Sequence, residues 1–165
     1  MRNRLAATIL EAVDDAGARR ALAALAEAPD AWLAVDERQW AALLAVRARR
    51  AGALEAAARL YGAGLHFEVH ELLEPHWMAA SGPTREALQG VIQAAVGWQH
   101  LANDNVAGAR SLLTEAAARL RGRRLGGRDF DAFARATSEA VTRLPAATPP
   151  PFPERSQASE REESV

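Results

Sequence analysis

From residue 1 to residue 144, apolar side chains recur every three or four positions, and glycine, proline and asparagine interrupt the pattern at short intervals. That spacing fits the 3.6-residue period of amphipathic helices. It does not fit strands, whose side chains alternate with period two. Residue choice points the same way: Ala, Leu and Arg dominate, and strand formers are sparse, with four Phe and one Tyr in 165 residues. The pattern predicts an all-α fold, a compact bundle of about five to seven helices.

The interruptions divide the chain. Leu5, Ile9, Leu10 and Val13 form one stripe that ends near Gly17, and Leu22 and Leu25 form another that ends before Pro29. Asp36, three residues before Gln39, reads as an N-cap for a helix carrying Trp40, Leu43, Leu44 and Arg47. Gly52 separates this from a helix with Leu54, Ala58 and Tyr61, and Gly62 and Gly64 then mark a turn. Helices are expected over about 65–79, from Pro83 to about 101, and over 106–121. Asp129 is expected to cap a last helix carrying Phe130, Phe133, Val141 and Leu144, with 122–128 as a loop. From residue 146 the chain turns to Pro, Ser, Glu and Arg, a composition that predicts disorder. The expected organisation is an N-terminal helical extension over 1–50 packed on a core over 51–145, followed by a tail over 146–165.

Several chemistries are excluded by composition. All 20 basic residues are arginine, so no lysine is present to form a Schiff base. There is no cysteine, and with it no disulfide, thiolate metal site or thiol nucleophile. A net charge of −1 provides no field that would draw the chain to nucleic acid or to an anionic membrane. Residues 1–13 carry Arg2, Arg4 and Glu11 and lack a long apolar run, so neither a signal peptide nor a spanning helix is expected there, and cytoplasmic residence is.

One helix stands out, His66-Phe67-Glu68-Val69-His70-Glu71-Leu72-Leu73-Glu74-Pro75-His76-Trp77. On a helical wheel, Val69, Leu72, Leu73 and Trp77 form an apolar arc, with Phe67 and Met78 on its other side. This projection sets His70 and Glu74 between Trp77 and Phe67, inside the apolar surface. Glu71 falls at its edge and Glu68 points away. Burying a charge is costly unless it is paired or liganded, and residues four apart on a helix can meet. His70 and Glu74 therefore read as a bonded pair or as two metal ligands. Pro75 cannot donate to the carbonyl of Glu71, so a kink is expected there.

The next helix has a matching oddity. Gln89, Gln93 and His100 share a stripe with Val96, and Gly90, Ala94 and Gly97 form a small-residue strip suited to close helix packing. Helices joined by a short connection pack antiparallel. The simplest expectation sets His70, Glu71 and Glu74 against Gln89, Gln93 and His100.

These are also the residues of a resemblance. The segment from about Ala57 to Arg121 resembles the domain of unknown function 309 family, sometimes labelled a predicted metal-dependent hydrolase. Its Phe-Glu-x-His-Glu-x-x-Glu-x-x-Trp helix is matched by Phe67, Glu68, His70, Glu71, Glu74 and Trp77. Its Gln-Gly-x-x-Gln helix with a later His is matched by Gln89, Gly90, Gln93 and His100. Its Gly-Ala-x-x-Leu helix is matched by Gly108, Ala109 and Leu112, with Leu113 following. The resemblance implies a small helical bundle.

The leading reading is a metal-dependent hydrolase acting on a small-molecule substrate. His-Glu-x-x-Glu resembles a zincin helix whose second histidine is replaced. His70 and Glu74 would be ligands, with His100 or His66 as the third, and Glu71 the general base on a metal-bound water. Such a mixed set suits Zn, Mn or Fe. Phe67, Trp77, Gln89 and Gln93 would support the site, Phe67 and Trp77 as core or pocket wall. His76 lies apart from it. The alternative is a non-enzymatic structural or interaction module, monomeric or a homodimer, whose buried His/Glu/Gln cluster only fixes helix packing. Arg121, Arg123, Arg124 and Arg128 make a basic loop that a phosphate or nucleic acid would find. Without interleaved aromatics it reads better as solvated. Arg110 is expected to pair with a buried carboxylate.

Overall fold

The computed structural model of the protein describes residues 52–156 together with 6, 9–12, 15–17, 19 and 20. The expectations for Leu22, Leu25, Asp36, Gln39, Trp40, Leu43, Leu44 and Arg47 lie outside the described residues. Among the described residues from 52 onward, five helices and one two-stranded hairpin follow in order: α1 (Ala53–Gly62), α2 (His66–Ala79), α3 (Gly82–Ala102), α4 (Val106–Leu120), β1 (Arg124–Leu125), β2 (Arg128–Asp129) and α5 (Asp131–Thr142). Among the described residues the fold is all-α apart from that hairpin, as the periodicity predicts. Among the described residues no helix is long and apolar enough to cross a membrane.

The chain divides into two compact units, Met1–Leu72 and Leu73–Val165. In the first, helical residues near the N-terminus bury Ala6, Leu10 and Ala12, and α1 buries Ala56, Ala57, Leu60 and Tyr61. The end of α1 is fixed by its sequence. Gly64 adopts the left-handed φ of 74°. This lets Leu65 N–H reach Leu60 O while Gly64 N–H reaches Tyr61 O, the paired bonds that close a helix C-terminus.

The second unit is built on the α3–α4 hairpin. Ser81 stands in extended conformation before α3, and Pro83 occupies its first turn, where a missing N–H costs nothing. At the far end Asn105 Oδ1 accepts the Gly108 N–H at 2.9 Å and caps α4. The two helices approach closely because Gly90 and Gly97 carry no side chain. A Cβ there would lie 2.7 Å from Leu120 Cγ and 2.8 Å from Leu113 Cγ respectively. Ala87, Ala94, Ala109 and Ala116 fill the rest of that seam with small side chains.

Residues 122–128, read as a loop, contain all but the last residue of an antiparallel hairpin. Leu125 pairs with Arg128 across Gly126 and Gly127, both with positive φ. A Gly-Gly pair of that kind is the tight turn whose twist matches the strands. It sets the start of α5 two residues after Asp129, whose Oδ1 accepts the Asp131 N–H at 2.9 Å.

Order also extends past residue 146, as far as 156. Phe152 meets Phe130 edge-on and Phe133 at a tilt, with ring centroids 5.5 and 6.2 Å away. The buried Arg128 donates to Pro153 O at 2.6 Å, and Ser156 N–H bonds Gly127 O. Aromatic burial and two backbone anchors hold a segment that composition alone reads as solvated. Residues 157–165 lie outside the described residues. Between α5 and this strap runs a groove of about 530 Å³ walled by Phe133, Ala136, Pro151 and Phe152.

Candidate metal centre

α2 turns a different face inward from the one its apolar residues suggest. His66, Glu68, Val69, Leu72 and Leu73 are buried, at 7%, 0%, 0%, 3% and 0% exposure. At about 100° per residue these five fall on one arc. The opposite arc carries Phe67, His70, Glu71, Glu74 and Met78, half-buried or exposed. The expected placement of His70 and Glu74 within the buried stripe is therefore corrected, and so is that of Glu68, which points in rather than away. Phe67 and Trp77 pulled the expected arc toward them. Phe67 is in fact 40% exposed. Trp77 is half-buried near the end of the helix, where the Arg85 guanidinium lies 4.1 Å over its ring.

On that outer face His70, Glu71 and Glu74 converge. One donor atom from each lies within 4.8 Å of the others. Glu71 Oε1 is 3.1 Å from His70 Nδ1, with the side chains 36% and 27% exposed. Helical spacing explains the convergence: Glu74 is four residues from His70 and three from Glu71, and both spacings meet on a helix surface. At metal–ligand bond lengths of about 2.0–2.2 Å, small side-chain rotations bring three such atoms onto one ion. The donor set, one imidazole and two carboxylates, fits a divalent cation of borderline or hard character. Pro75 lies inside the helix without ending it.

His100 does not join this group among the described residues. It sits near the end of α3, where its Nδ1 lies 2.9 Å from Asn105 Nδ2. Asn105 Oδ1 is engaged by the Gly108 N–H, so the amide must present its NH₂ to the ring. His100 Nδ1 then accepts, and the neutral ring carries its proton on Nε2. That tautomer caps a helix turn and leaves no free lone pair for an ion. His66 does not join the group either. Its ring packs edge-on against Tyr61 at 4.8 Å, and burial lowers its pKa to about 4. Its buried Nδ1 has no hydrogen-bond partner among the described residues. His76 is exposed.

The supporting residues are also placed. Gln93 Nε2 donates to Glu115 Oε2 at 2.8 Å, so this side chain serves the α3–α4 seam. Gln89 is half-buried on the same helix. Trp77 holds Arg85, whose Nη1 donates to the carbonyls of Trp77, Met78 and Ala80 at 3.0, 3.3 and 3.3 Å. A cation capping the C-terminal carbonyls of α2 is favoured by the helix dipole. Sequence reasoning missed this role, although an Arg within reach of a helix C-terminus is its usual signal. Arg110 donates to Val141 O at 3.0 Å, at the end of α5, rather than to a buried carboxylate. In the basic loop Arg128 is buried under the strap and Arg124 lies 3.8 Å from Asp129, so these arginines are not a free cationic patch.

Fold and site together define a helical protein with a half-exposed His/Glu/Glu cluster on one helix. Residues 54–112 match the model of the family described as Domain of unknown function (DUF309). The matched stretch spans nearly all of α1, then α2, α3 and the first half of α4, and so contains the cluster. No curated protein and no solved structure matches the chain.

Proposed function

We propose that this chain is a metal-dependent hydrolase in which His70 and Glu74 hold a divalent cation and Glu71 is the proton acceptor beside it. The observation that carries this reading is the convergence of His70, Glu71 and Glu74 within 4.8 Å on a face that solvent reaches. A cluster serving only to fix helix packing would be buried among its neighbours, and this one is not. His70 and Glu74 are one protein ligand short of the three that catalytic zinc sites take, and leave positions open for water and substrate. When bound, the cation would lower the pKa of water and polarise a carbonyl or phosphoryl oxygen. Glu71 stands close enough to the other two side chains to take a proton at that place. Zn, Mn and Fe all accept this donor set.

The test is a screen of chromogenic carboxylic and phosphoric esters with the metal-loaded full chain. Glu71→Gln keeps the shape of the side chain and removes its basicity. Turnover should fall by roughly 10²- to 10⁴-fold while bound metal persists. A Glu71→Gln chain as active as its parent would contradict the assigned role.

A further inference from the structure

The groove between α5 and the strap has about 530 Å³ of room, within the roughly 300–1,000 Å³ of small-molecule sites. Phe133 and Phe152 wall it, and Ala132 and Ala136, one helical turn apart on α5, keep its floor free of bulk. Pro150, Pro151 and Pro153 line the strap side. Each proline fixes its own φ, and the strap is tied down by Arg128 at Pro153 O and by Ser156 N–H at Gly127 O. The walls are therefore set before anything enters, and a ligand need not order them.

The polar groups at the groove select what enters. Two carboxylates border it, Asp129 and Glu154, and no arginine or histidine does. Asp129 is partly answered by Arg124, 3.8 Å away. Glu154 is exposed, and among the described residues no basic group pairs with it. The three prolines carry no N–H, and the Ser156 N–H is already bonded. An anionic ligand would meet like charge and few donors, whereas an ammonium or guanidinium would meet acceptors. A metal ion that keeps its waters gains nothing from aromatic and proline walls. An organic cation does, because its apolar body rests on the phenyl rings and its charge is drawn to their faces.

We propose that this groove binds a small organic cation, an amine or guanidine on an apolar body, with Glu154 and Asp129 neutralising the charge and Phe133 and Phe152 holding the body. The site shares no residue with His70, Glu71 and Glu74, so it stands or falls independently of the metal reading.

The test is an NMR titration of the isotope-labelled full chain with tryptamine, beside indole-3-propionate, which has the same ring and a carboxylate in place of the amine. Tryptamine should shift the amides between 129 and 136 and those of Phe152 and Glu154 saturably, with a dissociation constant on the order of 1 mM. Indole-3-propionate should bind at least about tenfold more weakly. Glu154→Gln should weaken tryptamine about two- to fivefold. Ala136→Leu, which fills the floor from a partly exposed position, should weaken it at least about tenfold. No saturable shift with tryptamine, or equal affinity for the two compounds, overturns the proposal. Shifts elsewhere in the chain, or binding untouched by Ala136→Leu, overturn the groove as the site. Groove amides that move with protein concentration and not with tryptamine assign the groove to a second copy of the chain, and overturn the proposal too.

Discussion

His66 lies edge-on against Tyr61 at the start of α2, buried, and its pKa is lowered from 6.5 to about 4 because the charged ring would lose its hydration. Between those two values the unfolded chain takes up a proton that the folded chain refuses. The stability contributed by this residue is complete above pH 6.5 and is lost as the pH falls toward 4. At pH 4.5 that loss amounts to about 2–3 kcal/mol relative to pH 7.5. Denaturant unfolding of His66→Phe at the two pH values should show a dependence weaker by that amount. Identical pH dependence in parent and variant would refute the assignment. The same helix shows what a single chain discloses at this scale. That His70, Glu71 and Glu74 lie together follows from their spacing alone. Which way they face does not, because two aromatic residues outweighed Val69, Leu72 and Leu73 in locating the inner arc. Phe67 and Trp77 answer to other demands, an exposed stripe and a capping arginine.

At the scale of elements, the seam between α3 and α4 depends on two glycines. Gly97→Ala would drive a methyl group against the Leu113 side chain and also to 3.3 Å from the Leu113 backbone nitrogen, which cannot rotate away. It should cost about 1–3 kcal/mol in thermal or denaturant unfolding, and Gly90→Ala, opposed by side-chain atoms of Leu120 and Arg119, somewhat less. Equal stability of Gly97→Ala and parent would mean that the helices do not approach as closely as described. Asn105→Ala removes the N-cap of α4 and should cost about 1 kcal/mol by the same measurement. The small-residue strip was legible in the sequence, as were the helix limits: 65–79 was expected and His66–Ala79 is found, and 106–121 was expected against Val106–Leu120. Periodicity and caps specify these locally. The hairpin at Gly126-Gly127 and the strap over 146–156 were not read. Each strand has only two residues, too few to show alternation, and the strap is held by Phe152 and Arg128 from a distance that no local pattern reports.

Across the whole molecule, charge and composition exclude chemistries without choosing one. A net charge of −1 and the absence of cysteine and lysine leave the His/Glu/Glu cluster as the site with the most chemical promise among the described residues. If the folded chain holds a cation that the unfolded chain does not, binding must raise stability. At a free metal concentration a hundredfold above the dissociation constant the gain is about 2.7 kcal/mol, and it should vanish in His70→Ala. The most direct measurement is metal content by elemental mass spectrometry, on untagged protein purified without chelator, beside His70→Ala and Glu74→Gln. Near-stoichiometric metal in the parent, lost in both variants while helical content is kept, is the predicted result. A folded parent without metal, restored by none of Zn²⁺, Mn²⁺ or Fe²⁺, would contradict it.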